Sequence, residues 1–178
     1  SPAIFEAARL ISAKRNGGHC DFFRNRVVFP IRDELGRPIA FGARRINPQD
    51  EPKYINIPET EVFSKGSTLF GIDLAAKAIG RTGTAIICEG YTDVIALHMA
   101  GFENAVATLG TALTREHAQR LGRRCERIVL LFDGDTAGKR AADRAVEVFF
   151  GAPVDVRLCS LPDGLDPDDL LRQADGPA

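Results

Sequence analysis

Five consecutive apolar residues, Ile128-Val-Leu-Leu-Phe132, run straight into Asp133-Gly-Asp135. An unbroken apolar run of this length predicts a strand buried on both faces, as at the centre of a parallel sheet. The two carboxylates then stand at the strand's carboxyl end. Beyond them, Thr136 to Phe150 carries apolar residues at helical spacing, so the acids lie in a strand-to-helix turn, where open α/β sheets bind their ligands. Alternation across Gly134 lets Asp133 and Asp135 point the same way. Two hard oxygen donors so placed suit Mg²⁺, which is usually held by one or two carboxylates together with substrate phosphates.

The same pattern extends to either side. Ala85-Ile-Ile-Cys88, Ala105 to Leu109 and Val154 to Leu158 are further strand candidates. Helical stretches are expected over Asp93 to Ala100, from a Thr114 cap to Gly122, over 136–150, and from Asp166 or Pro167 to Gln173. Alternating strands and helices predict an α/β domain with a parallel sheet and right-handed crossovers. All carboxyl ends of such a sheet lie on one edge. On that edge fall Glu89, Asp133 and Asp135, and the acids Asp163, Asp166 and Asp168. Carboxylates crowded together repel unless a cation neutralises them, which favours a metal site. The plain alternative makes Glu89 a strand-end surface acid and the 163–169 run a helix start favoured by the dipole.

The first half reads differently. Pro2 to Lys14 is expected as a short amphipathic helix with Ile4, Ala7, Ala8 and Ile11 on one face, ended by Gly17-Gly18. Arg26 to Arg32, a turn at 33–36 and Pro38 to Ile46 read as a β-hairpin in which Pro30 marks an edge or a bulge. Loop-rich sequence follows around an extended Lys53 to Asn56; Asp73 is expected to cap a helix to Ile79, closed by Gly80 and Gly83. The formal net charge of −1 divides unevenly: residues 1–82 hold 13 Lys/Arg against 9 Asp/Glu, residues 83–178 hold 10 against 15. A basic half beside an acidic one suits a nucleic-acid surface beside a metal centre, though charge runs are also ordinary solvated faces. The expected division is a basic α+β subdomain, 1–82, and an α/β domain, 83–178.

Composition excludes several classes. At 178 residues and 44% hydrophobic the chain can bury a real core. No apolar run approaches the ~20 residues of a membrane span, and the first residues lack a signal-peptide pattern, so no membrane partner and a cytoplasmic location are expected. The four cysteines are widely spaced with no Cys-x-x-Cys pair, which indicates neither a zinc site nor a disulfide framework. An EF-hand reading of Asp133-Gly-Asp135 fails, because its fifth and twelfth positions are Ala137 and Arg144. A phosphatase of the haloacid-dehalogenase type also ends a strand in Asp-x-Asp, but usually after the domain's first strand and with Thr or Val where Ala137 stands. It is the second reading.

Glu89-Gly-Tyr-Thr-Asp-Val94, Ala107-Thr-Leu-Gly-Thr111, Phe132-Asp-Gly-Asp-Thr-Ala-Gly138 and Leu161-Pro-Asp-Gly-Leu-Asp-Pro-Asp168 resemble the TOPRIM domain of bacterial DnaG-type primases. Arg24 to Asp33, Ile39 to Arg44, Pro52 to Asn56 and Ser64-Lys-Gly66 resemble the basic subdomain that precedes TOPRIM in that family. The motifs stand in family order from about Asp21 to Arg172. The fold so implied is a TOPRIM-type parallel sheet flanked by helices behind a small basic α+β subdomain.

The resemblance implies catalytic, metal-binding roles for Glu89, Asp133 and Asp135, with Asp93, Asp166 and Asp168 completing the acidic cluster. It implies nucleotide binding by Arg44, Lys53, Tyr54, Asn56 and Lys65. Arg24, Arg26, Arg44, Arg45, Lys53 and Lys65 are the expected DNA-binding residues. The implied activity is templated synthesis of RNA primers from ribonucleoside triphosphates on single-stranded DNA, with two or more Mg²⁺ or Mn²⁺ ions. Family members also carry a zinc-binding domain before this region and a helicase-binding domain after it. Neither is expected in these residues, so zinc is not expected here and the replicative helicase is a partner only through a domain outside them. A nucleic-acid-binding piece without turnover, and a metal-dependent phosphatase or nuclease, are the competing expectations.

Overall fold

The computed structural model describes residues 1–162 and 164–174. The chain divides into two compact units, Ser1–Ile31 with Pro38–Phe63, and Arg32–Arg37 with Ser64–Ala178. The units part at Phe63 rather than at the expected residue 82. The reason lies in the helix over Ile72–Thr82, whose buried Ile72, Ala75 and Ile79 belong to the core cluster of Ala85 and Ile87.

In the first unit, α1 (Pro2–Ala7) is half the expected helix and buries nothing. Arg9 adopts a left-handed φ of 57°, which a helix does not tolerate, and the chain turns into β1 (Ile11–Ala13). Ile11 therefore sits in a strand. Gly17 and Gly18, both at positive φ, are the turn of a hairpin to β2 (His19–Asp21), not a helix end. The second hairpin forms as expected from β3 (Arg26–Arg32) and β4 (Pro38–Arg45), and β5 (Tyr54–Asn56) adds antiparallel to β4. The order β3-β4-β5 leaves β3 at the edge, where Pro30 costs no ladder bond.

The second unit is a four-stranded all-parallel sheet in the order β7-β6-β8-β9. Its strands are β6 (Thr84–Cys88), β7 (Ala105–Ala107), β8 (Arg127–Phe132) and β9 (Asp155–Ser160). The helices are α2 (Ile72–Thr82), α3 (Tyr91–Met99), α4 (Arg115–Gly122), α5 (Thr136–Val148) and α6 (Pro167–Ala174). Gly71 rather than Asp73 occupies the cap of α2; Gly80 lies within that helix, and Gly83 at φ 62° ends it.

Strand alternation sorts the core onto two faces. Ala85, Ile87, Ile128, Leu130 and Phe132 pack with α2, α4 and α5; Cys88 and Leu131 pack with Val94 and Leu97 of α3. With both faces covered, β8 reads as the unbroken apolar run that its sequence shows. Among the described residues no helix is long and apolar enough to cross a membrane.

Candidate metal centre and basic surface

β6 connects to β7 on one side, and β8 pairs with β6 on the other. The carboxyl ends of β6 and β8 thus flank the topological switch point, where open α/β sheets form their binding crevice. Glu89 follows β6 and Asp133 follows β8. Strand parity separates them. Glu89 continues the phase of Ile87, and it lines a cleft of about 370 Å³ with Thr108, Thr111, Arg115 and Arg144. Asp133 continues the phase of Leu131 and lies within electrostatic reach of Asp93, as do Asp166 and Asp168.

Each group has a distinct electrostatic state. Asp93 is buried at 5% exposure, and desolvation first, then the charges of Asp133 and Asp166, push its carboxyl up to about 7. Burial likewise raises Glu89, and Asp135 adds to the effect, against a backbone hydrogen bond from Asp133 and the charge of Arg144. Asp133 and Asp135 therefore bear on different neighbours, the charge of Asp133 on Asp93 and that of Asp135 on Glu89. The physical reason is the turn itself: Asp135 Oδ1 rotates to accept the Gly138 N–H at 2.7 Å and becomes the N-cap of α5.

Two glycines set this geometry by close approach. A Cβ at Gly134 would stand 2.1 Å from the Pro162 carbonyl oxygen, and its N–H donates to Leu165 O at 2.9 Å. A Cβ at Gly138 would meet Asp133 O at 2.2 Å, so α5 starts hard against the end of β8.

Other predicted acids also hold local structure. Asp93 Oδ2 accepts the Gly90 N–H at 3.0 Å and closes the first turn of α3. Asp166 Oδ1 accepts from Asp169 N–H at 2.7 Å at the start of α6, and Asp168 is paired with Arg172 at 2.8 Å. Asp163 lies outside the described residues. Among the described residues, no three His, Cys, Asp or Glu side chains are grouped to hold a metal ion as they stand. Yet Glu89 Oε1 and Thr60 Oγ1 are, among those residues, the buried side-chain oxygens left without a hydrogen-bond partner. A buried carboxylate oxygen without a partner, beside other hard oxygen donors, fits Mg²⁺ or Mn²⁺ rather than a softer ion.

In the first unit the predicted basic residues divide by role. Arg44 pairs in register with Tyr54 across β4 and β5, so Arg44, Tyr54 and Asn56 share one face. The Arg44 guanidinium carbon lies 5.8 Å and Lys53 Nζ 5.5 Å from the Tyr54 ring centroid, within cation–π range. Arg24 is exposed. Arg26 and Arg45 instead hold the 47–52 loop: Arg26 donates to Pro52 O at 2.7 Å, and Arg45 donates to Asp50 O at 3.1 Å and pairs with Glu51. Lys65 belongs to the second unit.

Sequence reasoning overlooked Arg144. Its position among Ala141, Ala145 and Val148 on one face of α5 is a charge inside an apolar stripe, which was the available signal. Thr108 and Thr111 lie within the Ala107 to Thr111 motif, which marks their position but not their place in the cleft.

A parallel sheet with carboxylates massed at its switch-point edge defines a Toprim-like domain, and a family model of that description matches residues 86–171. A second, the N-terminal domain of the DNA primase catalytic core, matches residues 1–76. The DNA primase of Synechococcus elongatus is 46% identical over 177 residues, which cover 96% of this chain and 25% of that protein. The Aquifex aeolicus primase structure, comprising zinc-binding and RNA polymerase domains, superposes with a TM-score of 0.90 at 40% identity, covering 97% of this chain and 43% of that one. A DnaG primase catalytic domain bound to single-stranded DNA superposes with a TM-score of 0.87 at 41% identity, covering 95% and 55%. The chain belongs to the DnaG-type DNA primases. It spans about a quarter of the length of the first of these relatives.

Proposed function

We propose that this chain contributes to the catalytic core of a primase, joining ribonucleotides on a single-stranded DNA template in the bacterial cytoplasm. The observation that carries the reading is the acidic edge: a buried Asp93 raised by desolvation first and then by three other carboxylates, and a buried Glu89 oxygen without a partner. Negative charge is concentrated there at a cost to the fold, and a site for cations and phosphates is the chemistry that offsets such a cost.

Glu89, Asp133 and Asp135 would hold divalent ions, Asp135 bearing on Glu89 while Asp93, Asp166 and Asp168 surround Asp133 with further negative charge. When bound, the ion neutralises phosphate charge and favours ionisation of an attacking 3′-hydroxyl. The chain's own part is positioning. β6 and β8 fix Glu89 and Asp133 on rigid strand ends, and the Gly134 turn fastens Asp133 to the segment leading to Asp166. In the first unit, Arg44 and Lys53 offer cations for phosphates, and Tyr54 offers a ring face for a base. Arg24 adds charge on that unit, and Lys65 is a ligand for nucleotide phosphate.

Binding of template DNA, ribonucleoside triphosphates and, through residues beyond these, a replicative helicase belongs to the same proposal. Incubation with single-stranded template, ribonucleoside triphosphates and Mg²⁺ or Mn²⁺ is expected to give short RNA complementary to the template. Product that forms without template, or persists in Glu89→Gln and Asp133→Asn, would overturn the reading.

A further inference from the structure

α4 opens on a capping box in which His117 occupies the position that Glu or Gln usually takes. Thr114 Oγ1 accepts the His117 backbone N–H at 3.2 Å, and in return the ring Nδ1 accepts the Thr114 backbone N–H at 3.2 Å. An Nδ1 that accepts leaves the ring proton on Nε2. That nitrogen lies 3.1 Å from the Thr68 carbonyl and donates to it. The Thr114 hydroxyl in turn donates to the carbonyl of Gly66.

α4 therefore grips two carbonyls of the turn that carries Lys65. The turn is closed on itself as well, with the Thr68 N–H donating to Ser64 O at 3.0 Å. His117 is fully buried, and burial is the main influence lowering its pKa, so the ring is held neutral, as its two partners require. A Glu would satisfy the cap but has no hydrogen for Thr68. The imidazole satisfies the cap with one nitrogen and donates to Thr68 with the other, so the tether explains the need for a donor where the cap does not.

We infer that His117 is a positioning residue for Lys65, the imidazole acting through Thr68, and Thr114 acting through Gly66, to fix the backbone from which Lys65 meets nucleotide phosphate. This rests on the proposed role of Lys65 as a phosphate ligand. A backbone ordered in advance spares the ligand the entropy of ordering it on binding.

The test is an equilibrium titration of the chain with a fluorescent ATP analogue and Mg²⁺, alongside thermal melts. His117→Asn keeps an acceptor for the Thr114 N–H and loses the Thr68 tether; it is expected to weaken binding roughly tenfold, the scale of one lost hydrogen bond. His117→Gln, whose amide nitrogen reaches the Nε2 position, is expected to restore most of that affinity. In a Lys65→Ala background His117→Asn should have no further effect. Full additivity of the two substitutions, or an unchanged affinity in His117→Asn while Lys65→Ala weakens binding, overturns the positioning role and leaves the phosphate reading standing. An unchanged affinity in Lys65→Ala overturns the phosphate reading itself. If His117→Asn does not fold, Thr114→Asp retains a strong helix cap but has no hydrogen for Gly66; an unchanged affinity there also overturns the inference.

Discussion

Asp93 Oδ2 accepts the Gly90 backbone N–H at 3.0 Å, so the carboxyl pushed up to about 7, by burial first and then by the charges of Asp133 and Asp166, is also the one that closes the first turn of α3. A protonated acid, an ionised acid or an Asn can each accept that bond, so the charge of Asp93 can change without loss of the cap.

Stability should therefore depend on pH with a definite sign. A carboxyl with a folded pKa of about 7, against an ordinary value of 3.8, binds more protons folded than unfolded between those limits. Its contribution is fully present below about pH 4 and is lost as pH rises through 7, by up to about 4 kcal/mol for a shift of this size. Asp93→Asn should remove this dependence and raise the metal-free melting temperature at pH 8. Melts from pH 5 to 8 of wild type and variant check it; a parallel pH dependence in both would show that Asp93 is not its source.

Asp133 and Asp135 should behave differently on substitution. Asp133→Asn relieves repulsion at Asp93 and is expected to leave the metal-free protein as stable or slightly more so, while the Mn²⁺-induced rise in melting temperature disappears. Asp135→Ala removes the α5 cap and is expected to cost about 1 kcal/mol, whereas Asp135→Asn retains the cap. Thermal melts with and without Mn²⁺ separate the two; an undiminished metal shift in Asp133→Asn counts against a centre at that residue.

Single-stranded DNA binding should divide the arginines. Arg44→Ala and Lys53→Ala are expected to weaken binding several-fold and reduce its salt dependence, since counterion release dominates phosphate contacts. Arg26→Ala and Arg45→Ala should chiefly lower stability, because these side chains hold the 47–52 loop. Anisotropy titrations at two salt concentrations, paired with melts, check the division; equal affinity losses in all four would refute it.

Gly134→Ala tests the close approach at the acidic turn. The added methyl carbon would stand 2.1 Å from the Pro162 carbonyl oxygen, so backbone must move, at a cost of roughly 2 kcal/mol or more. Gly80→Ala, inside α2 with nothing within 4 Å of the new atom, is the control and should be neutral or stabilising. Denaturant melts of the two variants decide it.

The sheet was legible in the chain because its strands are short apolar runs separated by glycine and by helical periodicity, patterns that depend on local sequence alone. The acids at Glu89, Asp133 and Asp135 followed from that placement. The relation between Asp133 and Asp135 did not, because it depends on whether a side chain prefers a helix cap to a strand direction, and Asp satisfies both rules. The β1–β2 hairpin was hidden for a similar reason. Ile4, Ala7, Ala8 and Ile11 have perfect helical spacing, and Arg9 at φ 57° breaks the helix where no Gly or Pro announces it. His117 and Arg26 show the remaining gap: their partners, Thr68 and Pro52, are distant in sequence, and nothing local marks them.

The position of Glu89 and Asp133 on neighbouring parallel strands also governs when, during folding, the acidic edge can exist. Parallel neighbours are never joined by a tight turn, and here the whole of α3, β7 and α4 intervenes between β6 and β8. The strand ends that carry the two acids are brought side by side only by the most non-local pairing in the sheet, a contact that chain entropy makes slow to form. Because Ala85 and Ile87 of β6 share one core with Ile128, Leu130 and Phe132 of β8, the same closure that lines up the acidic edge also builds the apolar support beneath it.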